Sequence, residues 1–254
     1  MHSLPDLATC KKIGFIVPSS NIAVETITIA IFQSLKDANI IPIFTRIRVK
    51  TVGTDVSSTS QFSTETMIAA AELLADAGAD TILWNGTSGM WMGTGLEADQ
   101  ALAKAMHNAT GVPCSTTTLA TVAALEQLKV KRIGIAVPYK QDLAEVVRDF
   151  FATTGHGWEI SALTAQVPAP DSNIEIAKSN PSQIEELIVK AGNGAEAVIV
   201  ACTNWPGAVT TESAERKMAG PVVVDSIVVT VWQGLRMVEY ESAVDGWGRM
   251  FREL

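Results

Sequence analysis

Short apolar runs alternate along the chain with longer stretches in which apolar residues recur every three or four positions. The runs are rich in β-branched residues and end in polar loops, as buried strands do. The longer stretches have the spacing of amphipathic helices. They cover residues 23–36, 64–77, 97–108, 141–154 and 181–192. Regular alternation of strand and helix predicts parallel sheets with helices on both faces.

The strand motifs occur twice, in the same order. The segment IGFIVPSSN at 13–21 is matched by IGIAVPYKQ at 133–141. The segment ADTILWNGTSG at 79–89 is matched by AEAVIVACTNW at 195–205, an offset of 116 positions. Apolar runs alone look alike in many α/β proteins. The shared Val-Pro endings and the common order nevertheless favour an internal repeat.

A third pair of segments completes the repeat. Residues 112–125 and 220–235 each begin as a strand led by a proline and continue as an apolar helical pattern. The repeat predicts an α/β fold with two pseudo-symmetric lobes, each a mostly parallel four-stranded sheet flanked by helices. We expect residues 1–118 with 226–254 to form one lobe and residues 119–225 to form the other.

The loops that follow the strands are the expected ligand sites, because ligands of such sheets bind beyond the carboxyl ends of the strands. In this chain those loops are at 18–21, 86–89, 138–140 and 202–205. All four are therefore expected to face one cleft between the lobes.

Composition and charge narrow the classes of protein. The chain has 254 residues, 47% of them hydrophobic, and a formal net charge of −8. That charge disfavours nucleic acid as a partner, because phosphate binding needs clustered Lys and Arg. No apolar run reaches the roughly 18 residues of a membrane span, and the N-terminus has no signal-peptide pattern. A cytoplasmic location without membrane contact is expected. The negative net charge does not exclude a small anionic ligand, which a few local donors can hold.

The cysteine pattern excludes two common uses of this residue. Cys10, Cys114 and Cys202 lie far apart, without the spacing of a disulfide framework or a zinc site. No metal is therefore expected, and no cofactor is indicated, since the glycine motifs of nucleotide sites are also missing. None of the three histidines can be tied to Cys202, so a Cys-His hydrolase is poorly supported.

Cys202 is the candidate proton donor. Under the 116-residue offset it superposes on Gly86, so a thiol in one lobe faces a glycine in the other. A single thiol favours one proton delivery over proton removal and return on opposite faces of a carbon. A free thiol has a pKa of about 8.5 and is mostly protonated at neutral pH. A small buried residue at a strand end is the alternative, which the polar Thr203 and Asn204 that follow argue against. These two residues are themselves candidate substrate ligands.

Hydroxyls and glycines near this thiol suit an anionic ligand. Gly86, Thr87 and Ser88 form a short loop whose backbone N–H groups and hydroxyls suit a carboxylate or an enediolate. A tight turn has the same composition and is the alternative. Tyr139 mirrors Ser19 in the repeat and is a further candidate donor, unless it is a surface tyrosine.

The loop after the first strand has two interpretations. Ser19, Ser20 and Asn21 follow Pro18 and have the composition of a helix N-cap, with Glu25 in the first turns of the helix. They are also candidate ligands for an anion. Both interpretations are compatible, because a helix N-terminus is itself an anion site.

Five ordered motifs carry a resemblance to a known family. They are IVPSSN at 16–21, WNGTSG at 84–89, VPY at 137–139, DSNIEIA at 171–177 and ACTN at 201–204. Together they resemble the aspartate/glutamate racemase superfamily, in the branch of maleate cis-trans isomerases and arylmalonate decarboxylases. The resemblance spans nearly the whole chain.

The resemblance implies roles for individual residues. In the isomerases each half contributes a cysteine, and Cys202 matches the second, which supplies a proton. The resemblance further implies that Asn21, Tyr139 and Asn173 hold the substrate carboxylates. Gly86 stands where the isomerases have their first cysteine, and arylmalonate decarboxylases share that glycine.

The resemblance to the decarboxylases implies a reaction. Gly86, Thr87, Ser88 and Tyr139 would hold one carboxylate and then the enediolate, while the other carboxylate leaves as CO2. Cys202 would protonate the enediolate. We therefore expect a cofactor-independent decarboxylase acting on a small malonate-type dicarboxylate, and a homo-oligomer is compatible with the sequence. A maleate-type isomerase, an amino-acid or hydantoin-type racemase, and a non-catalytic carboxylate-binding protein remain alternatives.

Overall fold

The computed structural model describes residues 5–36, 38–92, 95–240 and 242–254. Its strands are β1 Lys11–Pro18, β2 Ile40–Ile47, β3 Thr81–Trp84, β4 Cys114–Thr116, β5 Arg132–Val137, β6 Glu159–Ala165, β7 Ala197–Val200 and β8 Val222–Asp225. Its α-helices are α1 Val24–Gln33, α2 Val56–Thr59, α3 Thr64–Asp76, α4 Gly95–Thr110, α5 Thr117–Leu128, α6 Gln141–Thr153, α7 Asn173–Ile176, α8 Pro181–Ala191, α9 Thr211–Met218, α10 Ser226–Met237 and α11 Met250–Glu253. Among the residues described, no helix is long and apolar enough to cross a membrane.

The strands form two four-stranded sheets of the same design. The first has the order β2-β1-β3-β4 and the second the order β6-β5-β7-β8. Every pair of neighbouring strands is parallel. The predicted fold class is therefore confirmed, and the offset between the motifs corresponds to equivalent strands of the two sheets.

The central strands are the ones that the sequence identified. The motifs at 13–21, 79–89 and 195–205 contain β1, β3 and β7, whose inward residues are almost completely buried. Strands β2 and β6 lie at the outer edges and are only half-buried. Both strands lie outside the paired motifs, so the repeat did not reveal them.

The last long helix crosses back to the first sheet. Helix α10 packs against α1 and α5, and a Cβ on Gly234 would lie 2.8 Å from the side chain of Ile13 and 3.2 Å from that of Leu83. The division into residues 1–118 with 226–254 and residues 119–225 remains a prediction.

We expect Gly134→Ala to lower the free energy of unfolding by about 3 kcal/mol, because overpacking a well-packed core typically has this effect. A Cβ on Gly134, in β5, would overlap the backbone carbonyl oxygen of Ala191 at the end of α8. Urea unfolding measures the change. Gly220→Ala is the matched control, since a Cβ there has no atom within 4 Å. Equal stability of the two variants would contradict this account of the β5–α8 contact.

Candidate active site

A small cavity lies at the carboxyl ends of the central strands. Its volume is about 30 Å³, which is enough to hold at least one water molecule. All four loops expected at the cleft contribute to it. Nine of the predicted site residues line it, namely Asn21, Gly86, Thr87, Ser88, Tyr139, Asn173, Cys202, Thr203 and Asn204.

Two predicted ligands do not line this cavity. The hydroxyl of Ser19 donates to the carbonyl of Val49 at 3.3 Å and accepts from its N–H at 3.0 Å. The hydroxyl of Ser20 accepts from Nδ2 of Asn173 at 2.9 Å. Both serines therefore position neighbouring segments through protein contacts.

Asn21 caps a helix and contacts the opposite loop with one amide group. Its Oδ1 accepts from the backbone N–H groups of Ala23 and Val24, each at 3.0 Å. Its Nδ2 donates to Oγ1 of Thr203 at 3.1 Å. The capping interpretation of the sequence thus describes the carbonyl side of Asn21, and its amide side joins the loops after β1 and β7.

Asn204 strengthens the same connection. Its Oδ1 accepts from the N–H groups of Ile22 at 3.0 Å and Ala23 at 3.2 Å. Its Nδ2 donates to the backbone carbonyl of Asn173. Because these polar groups are buried and paired, they hold three loops around the cavity in one arrangement.

One backbone donor of the loop after β3 is already used. The N–H of Gly86 donates to Oγ1 of Thr117 at 3.1 Å, so the predicted backbone contact to an anion is already used within the protein. The indole Nε1 of Trp84 donates to Oγ of Ser88 at 3.1 Å. Ser88 accepts in that bond and keeps its own hydrogen to donate.

The indole ring of Trp84 fills the space beside Gly86. A Cβ at position 86 would lie 2.6 Å from Cε2 and 2.8 Å from Cη2 of that ring. The ring is held in place, since Trp84 is 1% exposed and packs on Phe62 with ring centroids 5.8 Å apart. Glycine is required here by close approach, and any side chain at this position has to displace the indole.

The Cys202 thiol is buried beside a tyrosine hydroxyl. Burial raises the pKa of the Cys202 thiol above its ordinary value, and the charge of Asp225 acts in the same direction. Hydrogen bonds from Tyr139 and from the backbone N–H groups of Asn204 and Trp205 lower the pKa and so oppose this effect. The net result is a thiol that stays protonated at neutral pH, as a proton donor requires.

Tyr139 connects the thiol to the hydroxyl loop. Its hydroxyl lies 3.2 Å from Oγ1 of Thr87, and Tyr139 lines the small cavity together with Cys202. Burial, together with the nearby Cys202, raises the pKa of Tyr139 well above its usual value. A neutral phenol is a hydrogen-bond donor. Because Thr87 and Tyr139 share one hydrogen bond, two of the three hydroxyl hydrogens of Thr87, Ser88 and Tyr139 are free to be donated to an anion.

Asp225 is a buried carboxyl at the end of β8, next to the strand that leads to Cys202. Its Oδ1 caps α10 by accepting from the N–H groups of Ile227 at 2.9 Å and Val228 at 3.2 Å. Its Oδ2 is buried without a hydrogen-bond partner. Burial raises the pKa of Asp225 to about 7.

This raised pKa predicts a pH-dependent stability. The folded state favours the protonated form of the Asp225 carboxyl. The contribution of this group to the free energy of unfolding is therefore complete below the unfolded pKa near 4 and is lost as the pH rises through about 7. Asp225→Asn keeps a capping oxygen and does not titrate. Relative to this variant, we expect the free energy of unfolding of the parent to fall by about 2 kcal/mol from pH 5 to pH 8. Urea unfolding at both pH values measures this, and equal pH dependence would contradict it.

A second cavity adjoins the first. It has a volume of about 330 Å³ and shares Val52, Tyr139 and Asn173 with the small cavity. Its walls carry apolar side chains, two lysines and two aspartates. These are Leu143, Val146 and Ile176, with Lys50, Lys140, Asp142 and Asp171. A ligand with one group in the small cavity has room to extend here.

Sequence reasoning missed part of the lining. Val49, Val52 and Phe62 line the small cavity but come from the segment after β2, which lies outside the repeat motifs. Trp84 was taken only as part of a buried strand. In the part of the chain that the structure describes, no group of three or more His, Cys, Asp or Glu residues is placed to hold a metal ion.

Three comparisons relate the chain to characterised proteins. A maleate isomerase from Pseudomonas putida is 27% identical over 249 residues, 94% of this chain and 96% of that protein. The arylmalonate decarboxylase of Bordetella bronchiseptica is 28% identical over 195 residues, 74% of this chain and 78% of that protein. A solved maleate cis-trans isomerase from Nocardia farcinica superposes with a TM-score of 0.85 at 23% identity, covering 97% of this chain and 100% of that one. It is a cysteine-to-serine mutant with a covalently bound succinylcysteine intermediate.

Fold, cleft and comparisons first define a class, the two-sheet α/β proteins of the aspartate/glutamate racemase superfamily. Within it, the sequence model of arylmalonate decarboxylase matches residues 14–251. The chain therefore belongs to the arylmalonate decarboxylase family. Maleate isomerases are also among the relatives of this chain.

Proposed function

We propose that this protein is a cofactor-free decarboxylase that acts on a malonate-type dicarboxylate and protonates the resulting enediolate with Cys202. One observation carries the proposal. Cys202 is the cysteine that lines the cavity, and the Trp84 indole fills the place of a second thiol at Gly86. Such a site delivers one proton to one face of a carbon.

The reaction follows from the groups in the cavity. Thr87, Ser88 and Tyr139 hold one carboxylate, while the bond from the α-carbon to the other carboxylate breaks and releases CO2. The electron pair stays on the α-carbon and spreads into the retained carboxylate as an enediolate. The two free hydroxyl hydrogens stabilise this added charge, and each such donor is worth roughly 3 to 4 kcal/mol in comparable sites.

Proton transfer completes the reaction. The Cys202 thiol gives its proton to the α-carbon, forming the C–H bond of the product and leaving a thiolate. Water returns a proton to the thiolate, so one proton is consumed for each CO2 released. The raised pKa of Cys202 supports this role, because the thiol is protonated before each turnover.

The size of the cavities supports a substituted substrate. The inner cavity of about 30 Å³ has room for one small polar group, so the rest of the substrate has to extend into the adjoining 330 Å³ cavity. Apolar side chains line that space together with two lysines and two aspartates, and its size suits a substituent larger than hydrogen on the α-carbon.

A maleate-type cis-trans isomerase is the second candidate. Four of the five curated relatives, which are 24% to 28% identical to this chain, are maleate isomerases. This resemblance favours isomerase activity. In the Nocardia isomerase a cysteine carries a covalent succinyl group even though another cysteine has been replaced. Cys202 here is protonated and has no second thiol across the cavity, so the local chemistry favours proton donation.

A single assay separates these activities. The purified protein is incubated in deuterated water with phenylmalonate, methylmalonate, maleate, aspartate and glutamate, and the products are followed by proton NMR. Release of CO2 with deuterium placed on one face of the α-carbon is expected. Formation of fumarate from maleate, or deuterium exchange without CO2 release, would move the assignment to an isomerase or a racemase. Binding without any turnover would indicate a carboxylate-binding protein.

A further inference from the structure

The indole N–H of Trp91 is the polar group at the cavity that lacks a partner. Trp91 lines the small cavity beside Cys202 and Tyr139, and its side chain is 3% exposed. Its Nε1 is buried and has no hydrogen-bond partner. Among the described residues that line this cavity, no other side chain has such a buried, unpartnered nitrogen or oxygen.

The position of the indole is fixed by its surroundings. The ring packs edge-on against Phe62, with centroids 5.6 Å apart and an angle of 82° between the planes. The backbone N–H of Trp91 donates to the carbonyl of Ser88 at 3.1 Å, which ties the residue to the hydroxyl loop. The indole N–H of Trp91 lies near the Tyr139 hydroxyl and lowers the pKa of that hydroxyl. The two groups are not, however, oriented to form a hydrogen bond.

A buried donor without a partner is rare, because an unmade hydrogen bond is unfavourable inside a protein. The other indoles near Trp91 are different. The N–H of Trp84 is bonded to Ser88 and that of Trp205 to Gln166. An indole nitrogen only donates, so the missing partner is a hydrogen-bond acceptor. The carboxylate of the proposed substrate would supply acceptor oxygens in the cavity beside it.

We propose that the indole N–H of Trp91 donates a hydrogen bond to a carboxylate oxygen of the bound substrate, as a further donor beside the hydroxyls of Thr87, Ser88 and Tyr139. This inference rests on the proposed function for one premise, that a dicarboxylate binds in this cavity. It makes Trp91 a binding residue, in addition to the apolar wall that its ring provides.

The N–H can be observed directly by NMR. Protein labelled with ¹⁵N-tryptophan in a Cys202→Ala background is titrated with phenylmalonate and with maleate. We expect the indole proton of Trp91 to move downfield on binding, because it gains a hydrogen bond to an anionic oxygen. The indole proton of Trp247, already bonded to Ser34, is expected to stay in place. The spectrum of Trp91→Phe and contacts to the Phe62 ring assign the resonance independently.

Affinity provides the second readout. Trp91→Phe keeps an aromatic ring and removes the N–H, so we expect the dissociation constant for phenylmalonate to rise about tenfold. Trp247→Phe is the matched control, since it removes an indole N–H away from both cavities, and it is expected to leave the dissociation constant unchanged. Isothermal titration calorimetry measures both variants.

The outcomes separate this inference from the proposed function. A downfield shift and weaker binding support the role of Trp91, even if the ligand is maleate and no CO2 is released. Binding with no shift and no loss of affinity in Trp91→Phe would overturn the role of Trp91 and leave the decarboxylase proposal standing. If neither phenylmalonate nor maleate binds, the premise fails and both proposals are overturned.

Discussion

Cys202→Ala is expected to lower kcat/KM for the decarboxylated substrate by on the order of 10³-fold, the usual contribution of a positioned proton donor. The thiol is the group that faces the cavity with a proton to give, and alanine has none. Thr87, Ser88 and Tyr139 keep their hydroxyls in the variant, so we expect the dicarboxylate still to bind. Progress curves and calorimetry on the same preparation measure the two effects.

Cys114→Ala is the matched control for this prediction. The thiol of Cys114 donates to the carbonyl of Val112 at 3.3 Å and lines neither cavity at the cleft. Its removal is expected to leave turnover within twofold of the parent. If Cys202→Ala turned over at the parental rate, the proton would come from another group, and the assignment of Cys202 as the donor would be wrong.

The pH profile provides a further check on the same thiol. A protonated Cys202 is the active form, and its pKa is raised by burial and then by the charge of Asp225. Activity should therefore persist to a pH above the ordinary thiol value of about 8.5 and fall only beyond it. Asp225→Asn removes a negative charge near the thiol, so the basic limb of the profile should move to lower pH in that variant.

Buried strands and their loops are the part of this molecule that the sequence alone reveals. Strands β1, β3, β5 and β7 are central, and burial on both faces makes their runs continuously apolar. Because parallel strands end at the same edge of a sheet, the loops after them could be placed in one cleft. The edge strands β2 and β6 lie outside the repeated motifs, and they were found only in the structure.

The contacts that define the cavity depend on tertiary packing. The donor that Gly86 offers is used by Thr117, a residue 31 positions away whose contribution no local pattern indicates. Similarly, the side-chain amide of Asn204 forms hydrogen bonds with backbone groups of two other loops. Val49 and Phe62 reach the cavity from a segment outside the repeat. Such pairings are fixed by how the two sheets pack together, and the repeat carries no information about them.

The asymmetry between the lobes therefore has a structural cause as well as a chemical one. Equivalent positions after β3 and β7 are occupied by Gly86 and Cys202, and the missing side chain at Gly86 is replaced by the indole of Trp84. That indole also holds Ser88 through its N–H. Glycine at position 86 thus means that the first lobe has no thiol there. It also leaves space for the Trp84 indole, which orients Ser88.

Gly86→Cys is expected to inactivate the protein more than 100-fold and to create no isomerase or racemase activity. A side chain at this position displaces the Trp84 indole, which breaks its bond to Ser88 and disturbs a donor of the anion site. We also expect the free energy of unfolding to fall by about 2 kcal/mol, since the ring is buried and packed against Phe62. Urea unfolding and the deuterium assay measure the two effects.

The double variant Gly86→Cys with Trp84→Leu tests the cause. If the loss comes from overlap with the indole, a smaller side chain at position 84 makes room for the new thiol. The two substitutions should then be less destabilising together than the sum of each alone, by about 1 kcal/mol or more. With that room, a second thiol can reach the opposite face of the α-carbon, and product labelled on both faces would show that packing by Trp84 keeps this site to a single proton donor. Additive effects on stability, with a fully active Gly86→Cys single variant, would show instead that the indole yields easily and that Gly86 is not what restricts the chemistry.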